Sequence, residues 1–365
     1  MTTVEPATVP GSRRGPSWRQ LLGSLLSVAL VAGVVFWFLP QFTSLGDVWA
    51  SVRSMTWLEI TVLVVAALWN LATYQFVMTA TMPGLTFRQA AVSTETTTAV
   101  SNTVVGGSAI AVALTYAMNS SWGFSRSRTS VSLLVSGLWN NFAKLGLPVV
   151  ALVLLAFQSR PSTGRVLAGL AGVAGLVVAV LALGMLLRSR ESAVRLGTMA
   201  GRVASAVIRP FGRPPVQGWE RATSKFRDRT ALLLRARWLR ITLATLVSHL
   251  SLFLVLLLAL RSVGVEPTQV SWVEALAVFA FARLLTAVPF TPGGLGVVEL
   301  ALITGLSAAG GTRALVAAAV LVFRALTFVL PIPIGLGTYV FWRRNRSWRR
   351  EPNSAPRTDL VPETA

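Results

Sequence analysis

One stretch of this sequence combines residue types that do not belong in a simple apolar helix. It is Pro289-Phe290-Thr291-Pro292-Gly293-Gly294-Leu295-Gly296-Val297-Val298-Glu299, and it lies inside an apolar region running from about Val273 to Leu306. Proline removes a backbone donor and clashes with the preceding turn, and glycine weakens a helix interior by about 1 kcal/mol. At membrane depth a broken backbone is tolerated only where protein buries it or where it lines a watery cavity. The chemistry on offer is anion binding. Glycines let N–H groups at the start of a half-helix near Gly296 face a ligand, and the helix dipole favours negative charge there. Pro292, Gly293, Gly294 and Gly296 are the candidate backbone cradle. Arg283, about two turns before Pro289, adds a positive group. Glu299 falls about one turn into the second half-helix, and a buried carboxylate calls for a cation; Arg324, in the last apolar segment, is the expected partner.

Other ionisable residues lie in apolar surroundings: Glu95, Lys144 and Glu274 join Arg283, Glu299 and Arg324. Each costs about 2.5–3.5 kcal/mol at mid-span on insertion scales. Three acids and three bases nearly balance, which fits either structural ion pairing or a polar cavity for a charged substrate. A second glycine break, Gly106-Gly107, follows a Thr/Ser-rich stretch that includes Thr94, Thr96, Thr97, Thr98, Ser101 and Thr103. Here Asn102, Thr103, Gly106, Gly107 and Ser108 offer neutral hydrogen bonds. Asn140, Asn141 and Lys144 lie on broadly one side of a helix. The asparagines are expected to bond between helices, and Lys144 to face a cavity. His249, Asn70 and Gln75 are expected to make ordinary hydrogen bonds inside the bundle. Trp18, Trp57, Trp238, Trp342 and Trp348 sit at span ends, as an interfacial aromatic belt requires.

The elements that must position these residues are membrane spans. The chain has 365 residues, is 53% hydrophobic and only 13% charged, with a formal net charge of +20. A soluble domain carries roughly 25% charged residues. Apolar runs of about 20 residues recur, and each covers the roughly 30 Å hydrocarbon layer. Full spans are expected at Gln20–Leu39, Trp57–Ala80, Val131–Phe157, Val166–Leu187, Leu239–Leu260 and Leu315–Trp342. Residues 1–17 read as a disordered N-terminus, 18–342 as the membrane domain with a basic loop at 188–238, and 343–365 as a basic and polar tail. The first apolar run is too long for a signal peptide, and no small-residue cleavage site follows it. There is no cysteine and one histidine, so disulfide, thiolate and His-rich metal chemistry are excluded. No nucleotide-binding or hydrolase motif is present, and no cofactor is implied. The arginine clusters flank hydrophobic spans, which points to anionic lipid headgroups rather than nucleic acid.

Phe87–Met118 and Ser271–Ala309 each suit two short helices with a break between them. If both are re-entrant hairpins, the Arg188–Arg240 loop, the Arg343–Arg350 tail and both termini face the cytoplasm, as the positive-inside rule requires. If both cross fully, the large basic loop falls outside. The re-entrant arrangement is therefore expected. Gly106-Gly107 precedes Gly293-Gly294 by 187 positions, and Asn141 and Pro148 precede Arg324 and Pro331 by 183. Each half then reads as span, broken hairpin, span, and three crossings between the halves would invert them, as in many transporters. The expected fold is an all-α polytopic membrane protein with about six full spans and two re-entrant broken-helix hairpins in an inverted repeat.

The residues Ala282-Arg283, the Pro289–Glu299 stretch and Arg324 together resemble the signature of the lysylphosphatidylglycerol synthase transmembrane-domain family, also called flippase-like domain proteins. The resemblance extends over most of residues 20–342. Val298 and Leu300 stand where the family often has Arg and Gly, and Gly106-Gly107-Ser108-Ala109-Ile110-Ala111 lacks the acid and base common in its first-half motif. The resemblance implies a standalone member without the soluble aminoacyl-transferase domain of the two-domain synthases. It also implies a lipid translocase without catalytic residues, acting on an anionic phospholipid or a polyprenyl-linked lipid in the cell membrane. The expected substrate-binding residues are Arg283, Pro292, Gly293, Gly294, Gly296, Glu299, Arg324, Lys144, Glu95, Gly106 and Gly107. Rival readings are a lipid-headgroup transferase using Glu299 or Glu95 as base, and a scaffold recruiting a cytoplasmic lipid-modifying enzyme. Self-association into a homo-oligomer is left open.

Overall fold

Local capping chemistry sets three of the helix starts. The computed structural model of the protein describes residues 45–104, 106–158, 174, 178, 219–286, 294–345 and 348. The expected span Gln20–Leu39, nearly all of Val166–Leu187, residues 1–17, the stretch 188–218, the tail beyond Trp348, and Pro292 and Gly293 lie outside the described residues. The Thr56–Glu59, Thr86–Gln89 and Ser271–Glu274 pairs each form a reciprocal capping box. In each box a hydroxyl accepts the N–H three residues on, while that residue's side chain accepts the cap N–H and satisfies two donors left over at a helix start.

In chain order the helices are α1 (Leu45–Arg53), α2 (Trp57–Thr81), α3 (Phe87–Thr103), α4 (Gly107–Ser121), α5 (Arg126–Gln158), α6 (Trp219–Ser262), α7 (Trp272–Leu285), α8 (Val297–Ala308), α9 (Arg313–Arg324) and α10 (Pro331–Arg344). No strand occurs among the described residues. A π-helical turn, Ala325–Val329, joins α9 to α10. Four stretches are long and apolar enough to cross a membrane: Trp57–Thr81, Arg126–Phe157, Asp228–Ser262 and Arg313–Arg344. They match the four expected spans that fall on described residues. One boundary differs: α6 begins at Trp219, inside the segment read from sequence as a basic loop. Its Arg, Lys, Ala and Leu residues are strong helix formers, and Thr230 and Leu234 are buried, so helix continues where charge alone suggested a loop.

Apolar residues face outward. Leu58, Val65, Leu68 and Trp69 of α2 are exposed, while Thr73 and Gln75 on the same helix are buried. A helix apolar all round, with its polar residues turned inward, is built for lipid. The helices α3, α4, α7 and α8 are 17, 15, 14 and 12 residues long. At 1.5 Å per residue each is shorter than the roughly 30 Å apolar layer. Each pair folds on itself, α3 against α4 and α7 against α8. The glycines at the breaks make this geometry accessible: Gly106, Gly294 and Gly296 have φ of 72°, 71° and 82°, a region costly for residues with a Cβ.

Packing between the halves is reciprocal. The α2 span packs on α6, α3 packs on α10, and α7 packs on α5. Each hairpin thus leans on the closing span of the other half. The α3–α10 seat depends on Gly335, where a Cβ would lie 2.1 Å from the Glu95 carbonyl oxygen and 2.5 Å from the Ala99 Cβ. Small residues allow this close approach between helices in membranes. Beside it, the Thr96 and Thr338 hydroxyls hydrogen-bond at 3.0 Å. The α2–α6 seat is polar as well: Asn70 donates to the Ser251 hydroxyl at 2.8 Å and to the Ser248 carbonyl at 3.2 Å. The main apolar core joins α6 to α9 and includes Leu256, Phe279, Leu302 and the fully buried run Val316–Val320. Trp342, expected in the interfacial belt, is instead buried beside Trp122, with its indole N–H donating to Ser121 at 3.2 Å. The α3–α10 packing carries it inward. Trp57 and Trp238 are exposed, as expected.

Candidate functional site

The two hairpin tips meet at one cavity of about 300 Å³. Ser101, Asn102 and Ser108 reach it from either side of the Gly106-Gly107 break, and Arg283, Thr286, Gly294 and Val298 from either side of the second break. Lys144 enters from α5, and Arg324, Thr327 and Phe328 from the last span. Phe279, Leu302 and Phe323 supply apolar wall.

Charge in this cavity is unbalanced. Arg324 Nε donates to Glu299 Oε1 at 2.6 Å, a pair with side chains 14% and 4% exposed. Glu299 occupies the first turn of α8, where the dipole favours a carboxylate. Its other oxygen, Oε2, is buried without a partner. The Arg324 guanidinium also lies 4.7 Å from the Phe328 ring centroid, a cation–π contact. Lys144 and Arg283 have no acidic partner among the described residues, and the buried Nε of Arg283 has no acceptor. Arg283 is close enough to both Lys144 and Arg324 to interact electrostatically. Among the described residues, three cationic side chains thus share the site with one carboxylate, and an anion would relieve their repulsion.

The π turn lies at this wall. Pro331 and Pro333 lack the N–H groups that would continue the α-helical ladder, and the Leu330 N–H bonds to the Ala325 carbonyl at 2.8 Å instead. Asn102 of the first hairpin donates to the Phe328 carbonyl at 3.0 Å. The first hairpin's tip is thereby tied to the irregular turn that follows Arg324. Such turns recur at functional sites.

Of the residues singled out from sequence, the structure gathers Lys144, Arg283, Gly294 and Arg324 at the cavity, with Glu299 paired to Arg324. Gly296 caps α8 and is not among the cavity-lining residues. Gly106 is exposed, and Gly107 packs against the Val100 carbonyl; both shape the first tip and neither lines the cavity. Glu95 is placed elsewhere, buried between α2 and α10, where it accepts from Gln75 Nε2 at 2.7 Å. His249 Nδ1 donates to the Thr245 carbonyl at 3.0 Å, the bland role expected of it. Pro292 and Gly293 lie outside the described residues. Sequence reasoning missed Thr286, Thr327 and the π turn; the two prolines just after Arg324 were the available signal for the last.

An inside-out bundle of spans around a buried polar cavity defines a multi-pass α-helical membrane protein. The chain belongs to the family described as lysylphosphatidylglycerol synthase TM region, which matches residues 24–335. No curated protein matches the chain.

Proposed function

We propose that this protein moves a lipid with an anionic headgroup, on a phospholipid or polyprenyl anchor, between the leaflets of the cell membrane. The observation that carries the reading is the excess of cations over carboxylates where the two hairpin tips meet. A phosphate at this site would answer Lys144 and Arg283, while Glu299 holds Arg324. The site binds and conducts rather than catalyses, and the partners are lipids of the bilayer, not nucleic acid.

The topology that goes with this function has six full spans and two re-entrant hairpins, with both termini cytoplasmic. Two observations support it. All four hairpin arms are shorter than the four long apolar helices, at 12–17 residues, and the halves pack reciprocally, as a pseudo-two-fold inverted repeat requires. The hairpins then enter from opposite faces and meet near the midplane, so small movements of either tip expose the cavity to one side at a time.

The test is reconstitution. Purified protein in liposomes should move a fluorescent anionic phospholipid between leaflets, and Arg283→Ala should slow it by roughly tenfold, the scale of one charge-assisted hydrogen bond. Arg283→Ala protein that inserts normally and moves the lipid at the wild-type rate would sink the proposal.

A further inference from the structure

We infer that Glu95 is a proton-binding site: it sits in the seat of the first hairpin as the neutral carboxylic acid, and it exchanges its proton when that hairpin moves. The proton site stands on its own geometry, while its coupling to lipid movement rests on the translocase reading above.

Glu95 and Gln75 form an isolated acid–amide pair. Both are buried, 5% and 2% exposed, and Gln75 Nε2 donates to Glu95 Oε1 at 2.7 Å. The same nitrogen donates to the Leu71 carbonyl at 3.2 Å. A side-chain amide has two N–H donors, so both are spent. The Leu71 bond also fixes which way the amide faces, because turned over it would set oxygen against oxygen. Glu95 Oε2 and Gln75 Oε1 are left buried without partners. Two acceptors are thus short of one hydrogen. A single proton on Oε2 supplies it: the acid O–H donates to the Gln75 oxygen, and the pair closes with one bond in each direction. The ionised form leaves both oxygens unsatisfied and adds a charge to an apolar setting, each of which is costly.

Nothing nearby compensates that charge. The ionisable side chains on α2, α4 and α10, the helices packed against α3, are Glu59, Tyr74, Tyr116, Tyr339, Arg343 and Arg344, and α3 itself carries Arg88. Among the described residues none of them pairs with Glu95 or interacts with it electrostatically. Glu299 differs in this respect, since Arg324 stands against it at 2.6 Å.

The pair lies where the first hairpin is held. Gln75 belongs to α2 and Glu95 to α3, and the Glu95 carbonyl is the atom on which Gly335 of α10 closes. Further along α3, Asn102 ties the same helix to the turn after Arg324. The proton cannot leave the closed seat without stranding a charge, so it leaves only as α3 shifts from α2 and water reaches the acid. Proton release and hairpin movement are then one event, and a pH difference across the membrane biases the lipid's distribution. The step balances as one Glu95 carboxylate plus one aqueous proton giving one carboxylic acid.

The experiment has two arms, both on the full chain. In the first, infrared spectra of purified protein are taken at neutral pH. Wild type minus Glu95→Gln should show the carbonyl stretch of a protonated carboxylic acid, a band that ionised carboxylates lack. Gln75→Leu should move this band to higher frequency, which identifies it independently if Glu95→Gln fails to fold. The second arm reads the steady distribution of a fluorescent anionic phospholipid between liposome leaflets under an imposed pH difference. One proton exchanged per lipid shifts the wild-type ratio by about tenfold per pH unit, and Glu95→Gln should hold the same ratio with and without the gradient. Absence of the infrared band overturns the proton site and the whole inference. A band accompanied by lipid movement that ignores the gradient overturns the coupling and leaves the translocase reading intact. If no lipid moves, the translocase reading fails and the coupling with it, while the infrared band still decides the proton site.

Discussion

The two hairpins share a plan and differ in chemistry. Each begins with a capping box, breaks at a left-handed glycine, and rests its first arm on the closing span of the other half. The second hairpin carries charge to its tip, Arg283 before the break and Glu299 after it. The first carries hydroxyls to its tip, and its buried acid, Glu95, sits on the arm away from the cavity lining. The partners differ accordingly. Glu299 meets a guanidinium at 2.6 Å, and Glu95 meets a neutral amide at 2.7 Å. Two hairpins can thus share a backbone plan while one carries charge to the cavity and the other neutral hydrogen-bonding groups.

The sharpest way to break the comparison is to remove a partner from each acid. Arg324→Ala strands the Glu299 carboxylate in a nearly dry site, and breaking a buried ion pair from one side costs about 3–5 kcal/mol. Thermal unfolding in detergent should register a large loss, and adding Glu299→Gln should restore much of it, since the stranded charge is gone. Stability unchanged in Arg324→Ala would show that the pair carries no weight.

The next effect is at the seats. Gly335→Ala drives a methyl into the Glu95 carbonyl of a packed backbone, where overpacking costs typically about 1–3 kcal/mol. Gly305→Ala, at the α7–α8 seat, meets only the Val278 side chain, at 2.6 Å. That side chain has rotamers to use, so the loss should be smaller than at Gly335. The reverse order of melting temperatures would contradict the reading of Gly335 as the backbone contact that seats the first hairpin.

The smallest effect is expected for Glu95→Gln. An amide oxygen can still accept from Gln75, so the cost should stay below about 1 kcal/mol, the scale of one neutral hydrogen bond. A loss comparable to Arg324→Ala would mean that the Glu95 charge has a partner equivalent to that of Glu299, and the chemical division between the hairpins would fail.

Much of this was legible in the chain. Apolar run lengths located the four spans found on described residues, because crossing a hydrocarbon layer takes a fixed number of residues. The glycines marked both breaks, because the positive φ found at Gly106, Gly294 and Gly296 is costly for residues with a Cβ. The Glu299–Arg324 pair was legible because a buried carboxylate is too costly to leave alone. The pairing of Glu95 with Gln75 was not, since two polar residues on neighbouring helices carry no sign that names the partner. Nor was the facing of neighbouring hydroxyls: Thr97 and Thr98 are alike in sequence, and only the rotation of the helix places Thr98 at the cavity.

The sequence by itself determined the class of protein, the places of the four long apolar helices among the described residues, the glycine breaks, and the identity of the ion pair. These follow from one-dimensional quantities: hydrophobic length, backbone donors and net charge. Tertiary structure alone decided that the two tips share one cavity, that Lys144 and Arg283 enter it without acidic partners among the described residues, and that Glu95 stays outside. Those outcomes depend on helix rotation and on close approach at residues such as Gly335. They are set by packing between segments far apart in sequence, such as Thr96 and Gly335, which no local pattern encodes.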